Sequence, residues 1–187
     1  MKSKLILAAN LALVAVTLSF NASADNLVVN GGFETGDFTG WTTGTALVTV
    51  AQAGQMAGLD PYSGTYFAAN QFAGSSNFVV LQQTITDVPG EQYFISLYVT
   101  SSGTTGCVHC EAMAVLWDGT FVAGLAGNRT IPWELLTGAG GIRIGTGTDV
   151  LTITGSNQGG GAWGFDDIEV NGLSPASVPA PIAGFPA

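Results

Sequence analysis

Tyr93-Phe94-Ile95-Ser96-Leu97-Tyr98-Val99-Thr100 decides the fold class of this chain. Side chains alternate across an extended strand, so Tyr93, Ile95, Leu97 and Val99 share one face. Phe94, Ser96, Tyr98 and Thr100 share the other. The turn dipeptide Pro89-Gly90 stands just before it. The same period of two recurs on both sides. Upstream it marks Leu27 to Val29, Ala46 to Ala53, Thr65 to Ala69 and Phe78 to Ile85. Downstream, Met113, Val115 and Trp117 alternate into Asp118-Gly119, a dipeptide suited to a tight hairpin because both positions tolerate positive φ. Phe121-Val122 begins the return strand. Leu151 to Thr154 and Phe165 to Val170 complete the series. In the last, Phe165, Asp167 and Glu169 oppose Asp166, Ile168 and Val170, and the Ile168 face is expected to point inward. Convincing helical periodicity is absent, although Pro132 to Leu136 has room for one helical turn. Eight to ten short strands at this spacing predict an all-β, antiparallel β-sandwich or jelly roll.

The two ends of the 187-residue chain read differently from its middle. Met1-Lys2-Ser3-Lys4 is a short basic segment, Leu5 to Phe20 is almost wholly apolar, and Ala22-Ser23-Ala24 is a small-residue cleavage site. That order is a secretory signal peptide over residues 1–24, with cleavage expected near Ala24-Asp25 and export to the envelope or medium. Residues 25–172 form the expected sandwich domain, and no membrane span is expected in the mature chain. Residues 173–187, with Pro175, Pro179 and Pro181, read as a flexible Pro/Ala-rich tail.

Charge narrows the partners. The chain has four basic residues and thirteen acidic ones. Lys2 and Lys4 leave with the signal, so the mature charge is 2 − 13 = −11. Such a surface repels phosphate backbones and anionic membranes, which argues against nucleic acid and lipid partners. It favours divalent cations. Charged residues make up 9% and hydrophobic ones 47%, so the domain has apolar mass enough for a core.

Asn26 to Trp41 (NLVVNGGFETGDFTGW) and Gly164-Phe165-Asp166-Asp167-Ile168-Glu169-Val170 form a pair of end motifs. Tyr62-Ser63-Gly64-Thr65-Tyr66 and Val115-Leu116-Trp117-Asp118-Gly119 lie between them. Together they resemble exported bacterial proteins of the PEP-CTERM type and carbohydrate-binding modules with a galactose-binding-like jelly roll. The tail departs from the first pattern, because no apolar span and terminal arginines follow Val178-Pro179-Ala180-Pro181. The resemblance implies glycan or exopolysaccharide binding without catalysis. It also implies a structural Ca²⁺ near the paired ends, with Glu34 and Asp166 as ligands. A buried carboxylate at Asp166 needs either a cation or several N–H donors, so a metal-free hydrogen-bonded network stays open beside it.

Other residues bear on the chemistry. Cys107 and Cys110 are expected to pair as a local loop disulfide in an oxidising compartment. His109 between them leaves a zinc site one ligand short. Of the four tryptophans, Trp41 and Trp117 are expected in the core. Tyr62, Trp133 and Trp163 are the candidates for an exposed platform on which a pyranose could stack. The lone histidine, the absence of a nucleophile elbow and the absence of a P-loop remove the common enzyme classes. Two alternatives remain beside the non-catalytic glycan module. One is a structural or interaction protein of the cell envelope with every aromatic in the core. The other is a polysaccharide hydrolase built on two facing carboxylates.

Overall fold

A computed structural model describes residues 25–44, 48–71, 74–103, 111–127, 130–157 and 161–173. The signal segment 1–24, Cys107, His109 and Cys110, and the tail from residue 174 lie outside the described residues. Ten strands are present among those described: β1 (Thr42–Thr43), β2 (Val48–Ala51), β3 (Phe67–Gln71), β4 (Gly74–Thr86), β5 (Gln92–Ser101), β6 (Glu111–Trp117), β7 (Thr120–Ala126), β8 (Ile131–Ile144), β9 (Thr148–Asn157) and β10 (Ala162–Gly172). They form two antiparallel five-stranded sheets, one ordered β1-β4-β9-β6-β7 and the other β2-β3-β10-β5-β8. The all-β sandwich expected from the alternation is the observed fold.

The sheets face each other across one apolar core. Ile95, Leu97 and Val99 of β5 meet Leu81, Ile85, Val115, Leu151 and Ile153 of the opposite sheet within it. Ile95, Leu97 and Val99 share a face by the period of two, and that face is the inward one. Asp118 and Gly119 have φ of 47° and 73°, and Trp117 pairs with Thr120 across them, so this dipeptide does make the tight β6–β7 hairpin. Trp41 and Trp117 are buried as expected. Phe33 packs under Trp41 with ring centroids 5.9 Å apart.

Three local expectations change. Pro132 lies within strand β8 and not in a helical turn. β8 is an edge strand of its sheet, where a residue without an N–H is tolerated. Leu27 to Val29 is not a ladder strand, but it does run beside β10. The Leu27 N–H donates to the Val170 carbonyl at 3.0 Å. The Asn26 side chain donates to the Ile168 carbonyl and accepts from the Val170 N–H at 3.0 and 2.9 Å. A side-chain amide here stands in for a backbone peptide, which is how the two ends of the domain are joined.

The third change concerns phase. The β10–β5 register shifts between Asp166 and Glu169, and Asp167 has φ of 45°. This is a β-bulge, which inserts one residue and turns the alternation over. Phe165, Ile168 and Val170 therefore all enter the core. Asp166 pairs with Tyr98, on the outer face of the sheet. It is 0% exposed there, because a loop covers it.

Candidate functional site: an aromatic platform over a buried carboxylate

The covering loop runs from Asp60 to Tyr66, between β2 and β3. Two carboxylates from distant parts of the chain hold it. Asp166 Oδ2 accepts the N–H groups of Tyr62 and Ser63 at 3.0 and 3.2 Å, and its Oδ1 accepts the Asp167 N–H at 2.8 Å. Glu34 accepts the N–H groups of Thr65 and Tyr66 at 2.9 and 3.0 Å. Glu34 is aimed by the turn before it, whose Phe33 is fully buried at φ of 57°. Gly31 closes that turn against β10, since a Cβ there would overlap the Ile168 carbonyl. Gly64 has φ of 60°, and a Cβ on it would overlap the Glu34 carboxylate. The loop's geometry thus depends on one glycine and two acids.

These are the two acids expected to bind calcium. The structure places them at one loop, but each serves as an acceptor of backbone N–H groups. Among the described residues no group of three His, Cys, Asp or Glu side chains is arranged to hold a metal ion. N–H donors reach the oxygens of both acids, so hydrogen bonds hold the loop here, the metal-free arrangement that the sequence leaves open beside Ca²⁺. Burial is the main cause that pushes the Asp166 carboxyl up to about 7. The N–H donors of Ser63, Asp167 and Tyr62 oppose that rise, and the neighbouring Asp167 charge adds to it.

The latch positions an aromatic group on the outer face of the β5–β8 edge. Tyr62 lies flat on Tyr98 with centroids 3.5 Å apart and planes 14° apart. Trp133 of β8 stands against Tyr62 at 6.0 Å and 61°. Trp133 is itself fixed: its Nε1 donates to the Asp60 carbonyl at 2.9 Å, and its ring meets the buried Phe67 edge-on. Tyr62 keeps 41% of its surface exposed. One ring face is therefore backed by Tyr98 and Tyr62 remains open to a ligand, beside a Trp wall. The neighbouring Tyr98 hydroxyl is the main cause that raises the Tyr62 phenol above its ordinary value, with burial adding to it, so the phenol stays neutral at physiological pH.

Tyr62 and Trp133 are thus brought together, as two of the three platform candidates. Trp163 is not. It is 0% exposed, inside the core, with Nε1 donating to the Ser156 carbonyl. It has no free face for a sugar. Tyr98 is a platform residue that the sequence reading does not single out, although it sits opposite the inward Leu97 and Val99. That parity is the available signal.

A second set of acids lies at turns of the other sheet. Asp149 is fully buried and accepts the Thr146 N–H and hydroxyl at 2.7 and 2.9 Å. Asp87 accepts the Gly147 N–H, and Asp118 accepts the Val150 N–H. Burial pushes Asp87 up to about 6. Hydrogen bonding to Asp149 raises Asp118. Asp149 is lowered to about 2, because hydrogen bonds from Asp87, Asp118 and Thr146 outweigh its burial. Through their backbone partners at Thr146, Gly147 and Val150 the three carboxyls tie neighbouring turns together.

No family model matches the chain, and no curated protein matches it. Solved structures do. A family 61 carbohydrate-binding module in complex with β-1,4-galactotriose superposes with a TM-score of 0.58 at 22% identity, covering 79% of this chain and 98% of that one. The xylan-binding CBM22-1 domain of Xyn10C from Paenibacillus barcinonensis gives 0.50 at 17% identity, covering 78% and 94%. A Stig cyclase, Fisc, from Fischerella sp. TAU gives 0.53 at 18%, covering 81% and 98%. At these identities the likeness establishes a carbohydrate-binding-module-like sandwich as the fold. It leaves the activity to the site, since binding modules and cyclases share this scaffold.

Proposed function

We propose that this protein is an exported, non-catalytic glycan-binding module, and that Tyr62, Tyr98 and Trp133 form its sugar platform. The observation that carries the reading is the half-open Tyr62 ring, backed by Tyr98 and walled by Trp133. Aromatic surface held rigid by its neighbours loses little entropy when a flat apolar sugar face settles on it. The galactotriose and xylan ligands of two structural neighbours make neutral plant-type polysaccharides the first probes. The loop that carries Tyr62 is latched by Glu34 and Asp166 through N–H donors. Export rests on the signal segment at residues 1–24.

The envelope-structural alternative requires every candidate aromatic to be core, and Tyr62 does not meet that requirement. The hydrolase alternative needs two carboxylates facing an open cleft. Asp149, the centre of the three-acid clasp, is fully buried, and Asp166 lies under the loop. Affinity electrophoresis of the mature protein through gels cast with galactan, xylan or other neutral polysaccharides tests the proposal. Retardation by at least one polymer is expected. Free mobility in all of them would favour the structural alternative, and release of reducing sugar would favour the hydrolase.

A further inference from the structure

The formal charge left beside the platform loop is negative. The loop's own N–H donors at Tyr62, Ser63, Thr65 and Tyr66 are already taken by Asp166 and Glu34. The indole N–H of Trp133 is taken by the Asp60 carbonyl. Among the described residues Arg143 is the sole lysine or arginine, and its guanidinium is held at the Phe121 and Ile142 carbonyls. The charged group that remains beside the Tyr62 loop is the Asp167 carboxylate. Asp167 sits on the bulge at φ of 45°, which turns it away from the strand's ordinary alternation. Its Oδ1 accepts the Ser63 hydroxyl at 3.0 Å. Its charge also reaches the Tyr62 phenol, contributing to that group's raised value. A half-buried carboxylate is therefore fixed against Ser63, the residue that follows Tyr62, and none of these cationic or N–H groups is left to offset it.

We infer that Asp167 is a specificity-determining residue that restricts the platform to uncharged glycans and rejects polymers carrying uronic acids. This rests on the platform reading given under Proposed function. Sugar hydroxyls are donors, and a carboxylate accepts them well. A uronate presents a second carboxylate to the same acceptors. That places like charges together at a partly desolvated surface without a compensating donor. Repulsion between like charges about 4 Å apart at a protein surface is worth about tenfold or more in affinity at low salt. Salt screens it over about 8 Å at physiological ionic strength, and further at higher salt.

The test compares matched polymers. One pair is β-1,4-galactan before and after oxidation of part of its C6 alcohols to carboxylates. The other is xylan and glucuronoxylan. Dissociation constants are measured for the wild-type chain and for Asp167→Asn, at low salt and at high salt. The neutral member of a bound pair should bind about tenfold tighter than the acidic member at low salt. High salt should narrow that gap. Asp167→Asn should narrow it too, read as the ratio of the two dissociation constants, since the amide oxygen can still accept the Ser63 hydroxyl and keep the loop in place. Equal or tighter binding of the acidic member would overturn the inference. So would a gap that neither Asp167→Asn nor salt changes. If no polymer of either pair, and no neutral polysaccharide of the wider set, binds at all, the platform reading itself fails, which is a different result from lost discrimination.

Discussion

Replacing Asp166 by asparagine should remove a pH dependence that the wild-type protein carries. The Asp166 carboxyl is fully buried, and burial pushes it from 3.8 up to about 7. Between those values the folded state holds a proton that the unfolded state has lost. Stability therefore falls as pH rises from about 4 to about 7, and is greatest below the unfolded value. Complete conversion of that difference is worth about 4 kcal/mol, and about 2–4 kcal/mol is the expected size. Asp87 tends the same way and Asp149 the opposite way, but both are common to the two proteins and cancel in their difference. The asparagine side chain would keep the shape and one good acceptor while carrying no charge. It would also turn an NH₂ toward one of three N–H donors, a cost that does not vary with pH. The stability of Asp166→Asn relative to wild type should thus rise by about 2–4 kcal/mol between pH 4 and pH 8. Urea unfolding followed by tryptophan fluorescence measures it, since Trp41, Trp117 and Trp163 are buried in the fold. A difference that is flat across this range, or that falls with pH, would refute the account of Asp166 as a desolvated carboxylate under the loop.

Three further outcomes follow from the same geometry. Gly64→Ala should lower the melting temperature and loosen the Tyr62 loop, because alanine is strained at φ of 60° and its Cβ would meet the Glu34 carboxylate; a cost of about 1–3 kcal/mol is expected from calorimetry. Asn26→Ala removes two hydrogen bonds that tie the N-terminal segment to β10 and should cost about 1–2 kcal/mol, checked by chemical denaturation. Excess chelator should leave the melt unchanged if N–H groups alone satisfy Glu34 and Asp166. A fall in melting temperature reversed by added Ca²⁺ would show instead that an ion bound to the native state stabilises it.

Most of the sandwich is legible in the sequence because its strands are half-buried and alternate. Tyr93 to Thr100 sorts into core and outer residues from sequence alone, and Asp118-Gly119 marks its hairpin through the backbone freedom such a turn demands. The end of the domain is not legible in the same way. Alternation assumes one residue per step, and the bulge at Asp167 adds one. Counted back from Ile168 without that step, Phe165 falls outside; with it, Phe165 joins the core, and Trp163 lies in the same core two residues earlier. Asp166 and Glu34 stand out in the sequence as converging acids, but the choice between a cation and N–H donors depends on a loop whose path no local pattern encodes. Tyr98 escapes notice because its value comes from Tyr62 lying on it, a contact between residues far apart in the chain.

The central claim is that Tyr62 binds sugar and does not merely cover Tyr98. Isothermal titration of the wild-type chain and Tyr62→Ala with a polysaccharide that retards the wild type tests it most directly. Loss of one stacking face should weaken binding about tenfold or more, worth about 1.4 kcal/mol or above. The melting temperature should change little, because Tyr62 is 41% exposed. Undiminished affinity in a folded Tyr62→Ala protein would contradict the account.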